Sequence, residues 1–283
     1  MKFSFFKYTL ALICFGGLLY SSFHFFSDFI EKKVMTPSDQ NFKNCPEIAN
    51  EGFEVREQGL GIESFRYYER LKREARGTLI FFHGSGRSAC ENREILPNLN
   101  ELPLNVMILE YPGYGQDPRK VTPSETIILR NALAFVKKVK LEMPQNWPLI
   151  VYGASMGTTI TTYIASKTSV SGVILRNAAT SIIETGKNLY PSYVHFLIDI
   201  LLKSQYRADL WAKNVKAPTL LLHAEKDKWV PLALGKKQFK NFVKTKNHRF
   251  VVIEKAHHMN TFSFPKYKDH FHTFVKQILS PPK

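Results

Sequence analysis

Six short runs of aliphatic, β-branched and aromatic residues punctuate this chain, and the stretches between them are helical in pattern. The runs are Thr78–His83 (TLIFFH), Asn105–Tyr111 (NVMILEY), Pro148–Gly153 (PLIVYG), Ser171–Arg176 (SGVILR), Thr219–His223 (TLLLH) and Arg249–Glu254 (RFVVIE). They are continuously apolar rather than alternating, which is the pattern of strands covered on both faces in a parallel sheet. Between them, Ser124–Val139 places Ile127, Ile128, Ala132, Phe135 and Val136 near one helical face, with Pro123 just ahead as a start signal. Met156–Lys167, Leu232–Val243 and Pro265–Leu279 are the other helix candidates. Strand–helix alternation over this length predicts an α/β fold: a mostly parallel, doubly wound central sheet with helices on both faces. Gly52–Glu69 reads as two antiparallel edge strands. Residues 180–216 fall between two core strands and are too long for a simple connection. Their Tyr190, Tyr193, Phe196, Leu197, Ile200 and Leu201 predict a small helical cap or the lining of a pocket mouth.

The amino terminus has a different character. Tyr8–Ser27 carries no charged side chain, with Lys2 and Lys7 before it and Asp28, Glu31, Lys32 and Lys33 after it. Twenty residues at about 1.5 Å each span about 30 Å, enough to cross a hydrocarbon layer. A cleaved secretory signal is the competing interpretation, but a cut after Ser22 would put Tyr20 where a small residue is wanted. The segment therefore reads as a signal anchor over residues 1–34, followed by one domain over 35–283. Lys2, Lys7 and the terminal amine favour the cytoplasmic side, which would place the domain across the membrane; Lys32 and Lys33 weigh against that.

The 283 residues, 44% hydrophobic and 22% charged, suit a globular chain and exclude disordered and collagenous classes. The net charge is +15, and Gly235–Lys283 holds eleven Lys/Arg against Glu254 and Asp269. That tail reads first as a solvated basic face and second as a surface for anionic lipid. No nucleic-acid-binding motif accompanies it, so nucleic acid is not an expected partner. Cys14, Cys45 and Cys90 show no zinc-ligand spacing; Cys45 and Cys90 have the option of pairing if the domain lies outside the cytoplasm.

The chemistry is announced by Gly153-Ala154-Ser155-Met156-Gly157, a G-x-S-x-G placed directly after a buried strand and directly before a helix. In that setting the pentapeptide forms a sharp turn that lifts the serine oxygen above the sheet edge, beside the positive end of the next helix. A serine hydroxyl needs a base, and the base needs an orienting group. In this architecture the order is serine, acid, histidine. After TLLLH comes Ala224-Glu225-Lys226-Asp227, and after RFVVIE comes Lys255-Ala256-His257-His258, both at strand carboxyl ends where open α/β sheets build their sites.

FFHGSG, LEYPGYG, GASMG, HAEKDKWVP and AHHMN, at these intervals, resemble the α/β-hydrolase serine hydrolases, and among them the single-anchor α/β-hydrolase-domain proteins of bacteria and eukaryotes. The resemblance covers nearly everything after residue 50. Its acid pattern, H-G-x-x-D-x-x-V-P, falls on His223–Pro231 and selects Asp227 over Glu225, with Ala224 standing where the pattern has glycine. Its histidine falls on His258; His257 replaces a glycine there, so the local turn must differ. The resemblance implies an oxyanion hole from the backbone N–H groups of Met156 and Ser85, the latter in His83-Gly84-Ser85-Gly86. His83 reads as a structural residue beneath that loop, and Tyr114 as lining or packing. The implied activity is hydrolysis of an ester, thioester or amide through an acyl-enzyme, with no metal or organic cofactor. Anchor, basic tail and apolar insert favour a hydrophobic acyl substrate; a peptidase, or a silent scaffold, is the alternative.

Overall fold

Backbone hydrogen bonds join the apolar runs into one sheet. The computed structural model describes residues 20–23, 25–29, 31, 34–38, 40–59 and 64–280. Among these, eight strands follow the order β1-β2-β4-β3-β5-β6-β7-β8. They are β1 (Glu54–Gln58), β2 (Phe65–Arg70), β3 (Thr78–Phe82), β4 (Asn105–Glu110), β5 (Leu149–Ala154), β6 (Gly172–Arg176), β7 (Thr219–Ala224) and β8 (His248–Ile253). Pairing is antiparallel for β1–β2 and β2–β4 and parallel from β4 to β8. One expectation needs correction: β1 is an edge strand, but β2 is inserted between β1 and β4 and pairs through Phe65–Glu69 with one and Arg66–Arg70 with the other. Burial explains the difference, since Arg66–Arg70 is inaccessible throughout although the run is polar in composition.

Both sheet faces are covered, as continuous apolar strands require. On one face Leu79, Phe81, Ile150 and Tyr152 pack with Phe271 and Val275 of the last helix; on the other Ile80, Phe82 and Val151 pack with Ile128, Phe135 and Ile160. From residue 46 on, the helices in chain order are α1 (Pro46–Ala49), α2 (Leu96–Asn100), α3 (Glu125–Glu142), α4 (Met156–Lys167), α5 (Ile182–Leu189), α6 (His195–Leu201), α7 (Ala208–Ala212), α8 (Leu232–Lys240) and α9 (Pro265–Leu279). Ser124 caps α3 by accepting the Ile127 N–H. The α8 candidate stops three residues early, because Phe242 turns into the core and leaves Val243 outside. The insertion expected to form a cap is helical, with α5, α6 and α7 all between β6 and β7.

The anchor expected over Tyr8–Ser27 lies largely outside the described residues. Residues 20–23 and 25–29 are helical, and among the described residues no helix is long and apolar enough to cross a membrane. Cys45 and Cys90 form a disulfide with their Cα atoms 5.8 Å apart. It ties the segment ahead of β1 to the 3-10 turn Ala89–Ile95 that follows β3.

Candidate active site

The turn at residue 155 is forced by two glycines. A Cβ on Gly153 would lie 2.2 Å from the Gly157 carbonyl oxygen, and one on Gly157 would lie 2.0 Å from that of Phe82. Neither position admits a side chain, so strand and helix approach closely and the residue between them bends. Ser155 takes φ 53° and ψ −123°, a conformation that costs a non-glycine residue about 1–3 kcal/mol. The surroundings hold it there: its N–H donates to the Arg176 carbonyl at 2.9 Å, and its own carbonyl accepts from the Thr158 N–H at 2.9 Å and the Thr158 hydroxyl at 2.6 Å. The Ser155 side chain is partly exposed at the carboxyl end of β5. Met156 opens α4, where a first-turn N–H has no helical acceptor.

Beyond the end of β7, Asp227 is buried, and its two oxygens divide the work. Oδ1 accepts the backbone N–H groups of Trp229 at 2.9 Å and Val230 at 2.8 Å. Oδ2 accepts from His258 Nδ1 at 2.7 Å. With its proton at Nδ1, neutral His258 keeps Nε2 as an open base. The neighbouring groups point elsewhere: Glu225 accepts the Lys255 N–H at 2.8 Å, and His257 is exposed, its ring 3.3 Å from the Lys226 carbonyl. Ser155 and His258 are not hydrogen-bonded to one another here. Such contacts commonly tighten only when substrate binds.

Asn177, which sequence reasoning passes over, fixes the turn that carries His258. It directly follows β6, whose Arg176 pairs with Ala154, and its side chain is buried. Its amide donates to the His258 carbonyl at 2.9 Å, while its oxygen accepts the Ala224 N–H at 2.9 Å. One side chain thus braces the histidine turn against β7 from the strand beside the elbow. A lone asparagine after a strand carries no sequence signal for that role.

The loop after β3 approaches the elbow closely: a Cβ on Gly84 would sit 3.4 Å from that of Ser155. Three successive carbonyls in it are engaged. Tyr111 donates its phenol to the His83 carbonyl at 2.8 Å, His83 Nδ1 contacts the Gly84 carbonyl at 2.8 Å, and Tyr114 donates to the Ser85 carbonyl at 3.0 Å. Burial pushes both phenols up in pKa, so they remain donors. His83 is fully buried and stacked on Tyr111, in keeping with a structural part. A cleft of about 460 Å³ opens beside this turn, bordered by Arg87, Glu91, Arg93, Glu94, Met259 and Phe262.

A second buried imidazole adjoins the acid. His223 Nε2 donates to the Val230 carbonyl at 2.9 Å and lies 4.0 Å from Asp227 Oδ2, while Nδ1 faces Gly235 without a partner. Burial lowers its pKa below 6.5. Folding therefore holds it neutral, and between its folded and unfolded pKa values the unfolded chain binds the extra proton. Stability present above pH 6.5 should be lost on acidification, by at most about 1.4 kcal/mol per pH unit. Melting temperatures measured across that range should fall more steeply in the wild type than in His223→Gln, and equal slopes would remove His223 as the cause.

An eight-stranded, mostly parallel sheet with a serine elbow, an acid after β7 and a histidine after β8 defines the α/β-hydrolase class. Comparison with known proteins narrows it. A family model described as serine aminopeptidase S33 matches residues 73–207, a stretch that holds Ser155 and ends before Asp227. The lysophosphatidylserine lipase ABHD12 of Macaca fascicularis is 27% identical over 190 residues, covering 61% of this chain and 47% of that protein. The chain thus spans about half the length of the curated relatives it matches. Among solved structures, the Pyrococcus furiosus esterase Pf2001 superposes with a TM-score of 0.69 at 18% identity, covering 88% of this chain and 98% of that one. A bacterial membrane phospholipase A gives 0.60 at 16% identity, covering 99% and 100%. The chain has the fold of the α/β-hydrolases and is similar in sequence to the ABHD12 lipases.

Proposed function

We propose that the protein is a membrane-anchored serine hydrolase that cleaves esters or thioesters of hydrophobic acyl groups, using Ser155, His258 and Asp227. Ser155 Oγ attacks the carbonyl carbon as His258 Nε2 takes its proton. The N–H groups of Met156 and Ser85 receive the oxyanion, and His258 returns the proton to the departing oxygen or sulfur. Water, activated by the same imidazole, releases the acid. The observation that carries this reading is the 2.7 Å contact from His258 Nδ1 to Asp227 Oδ2, on the sheet rim that also presents a strained Ser155.

The acyl substrate is supported by the matched lipase and phospholipase and by the aromatic cap. Residues 1–34 form the anchor in this reading and 35–283 the catalytic domain, with 180–216 as its cap and the basic carboxy-terminal region available to anionic lipid. The Cys45–Cys90 bridge supports an extracytoplasmic domain, where disulfides persist. Amide hydrolysis at a peptide amino terminus is the second reading, favoured by the description of the matched family model.

A fluorophosphonate probe should label the wild type and not Ser155→Ala. Labelling of both, or of neither, would reject Ser155 as the nucleophile. Acyl esters of graded chain length, set beside aminoacyl anilides, separate the two substrate readings: a preference for the anilides would overturn the ester assignment.

A further inference from the structure

The cap carries an apolar stripe on its outward side. Phe196, Leu197 and Ile200 of α6, with Tyr193 in the 3-10 turn Ser192–Val194 just ahead of it, recur at i, i+3, i+4 and i+7 counted from Tyr193, the spacing by which a helix normally buries one face. Here that face is open: Tyr193 is 76% exposed, and Phe196 and Ile200 are each 59% exposed. The inward face of α6 is separate and already satisfied. Ile198 packs over Gly186 of α5, where an added Cβ would meet it at 3.6 Å, and Leu202 is buried one turn on. The stripe is therefore surplus to what the cap needs for folding, and large exposed apolar patches mark interaction surfaces.

What adjoins the stripe identifies its occupant. The helical residues 25–29 dock on the end of α6 through the Ser27 hydroxyl, which donates to the Leu201 carbonyl at 2.6 Å, and through Asp28, 2.9 Å from Lys203 Nζ. Phe25, 69% exposed, and Phe26 also face outward there. Ser27 is the last residue of the uncharged stretch that begins at Tyr8. The apolar sequence thus runs directly onto the cap, and a phase that receives one meets the other. Polar groups at the border are neutralised in pairs, Asp28 with Lys203 and Asp199 with Lys187 at 2.6 Å. Their lysine stems suit the headgroup level of a bilayer, as do the amphipathic rings of Tyr190 and Tyr193.

We infer that the outer face of α6, continued by Phe25 and Phe26, seats on a lipid bilayer. The cap is then a second membrane contact beside the anchor, and it holds the mouth of the site at the depth where acyl substrates reside. This rests on the anchored-hydrolase reading for its purpose, but its test reads lipid contact rather than turnover.

The full chain carrying Phe196→Trp, reconstituted in phosphatidylcholine vesicles with a minor share of phosphatidylglycerol, is compared in lipid with plain and with dibrominated acyl chains. The emission added by the introduced indole, after subtraction of the wild-type signal, should be quenched by bromine. Equal emission in both lipids overturns the proposal. So does quenching-resistant emission that depends on protein concentration, the sign of a second copy on the stripe. Carbonate extraction of the same vesicles reads the anchor separately, and fluorophosphonate labelling reads the nucleophile. Tyr193→Ser/Phe196→Ser/Ile200→Ser should lower turnover of a vesicle-borne acyl ester about tenfold. Hydrolysis of a soluble short-chain ester should stay within about twofold of the wild type. Equal losses on the two substrates would argue against seating.

Discussion

Asp227→Asn is expected to lower kcat for ester hydrolysis about 10⁴-fold with little change in KM. The reason lies in how the two oxygens of Asp227 are used. Oδ1 faces two backbone donors, Trp229 and Val230, and Oδ2 faces His258. An asparagine must present its carbonyl oxygen to the two donors, because its NH₂ has nothing to offer them. The NH₂ is then turned to His258 Nδ1, which has to become an acceptor. The ring proton moves to Nε2, the nitrogen that must be empty to receive the proton of Ser155. The fold survives, since both backbone donors keep an acceptor, while the base is disabled. Kinetics on a chromogenic ester and the ¹⁵N shifts of His258 read the two halves of this expectation. A variant within about tenfold of wild type would contradict it, the proposed triad having been credited with far more. Asp227→Ala differs instructively: it strands two buried N–H groups and should lower stability as well, by about 1–3 kcal/mol for each unsatisfied group. Combining Asp227→Asn with Ser155→Ala should cost little beyond the single Ser155 change, because the groups act as a unit.

What is legible in the sequence follows the range of the interactions concerned. The six core strands can be read to within a residue or two because cover on both faces makes most of each run apolar, even in β8, which is only partly buried at the sheet edge. The α4 and α9 helices are legible end to end, one set off by a strand and the other by Pro265 at its first position. The interior place of β2 is not legible: its residues FRYYER read as an exposed strand, and only the polar contacts they make, such as Arg66 donating to the carbonyls of Tyr114 and Gly115, explain their burial. Residues 89–100 give no signal for a similar reason, since a polar 3-10 turn and a five-residue helix with Pro97 in its first turn have no apolar period. At the candidate site, local motifs point to Ser155 and Asp227. The choice between His257 and His258 depends on which ring reaches a carboxylate 31 residues away, and Asn177 bridges 81 residues to His258. Contacts at such separations leave no trace in a local pattern.

The same holds for the cysteines, and removing their bridge should produce a large loss of stability. Cys45 and Cys90 are 45 residues apart. A crosslink closing a loop of that length withdraws chain entropy from the unfolded state worth about 4 kcal/mol. For a domain of this size that corresponds to about 10 °C in melting temperature. The native contacts around the bridge do not depend on it: Phe42 is held by the Gly115 carbonyl at 3.3 Å and by the Tyr68 phenol, and Arg66 stacks on its ring. Cys45→Ala/Cys90→Ala is therefore expected to fold and to keep the site assembled, while melting about 10 °C lower. Adding a thiol reductant to the wild type should produce the same shift and leave the double variant unmoved. If reductant exposes two alkylatable thiols without lowering the melting temperature, the bridge carries no stability. If no bridge is found by mass spectrometry of protein taken from its native host, the proposed extracytoplasmic placement loses its support.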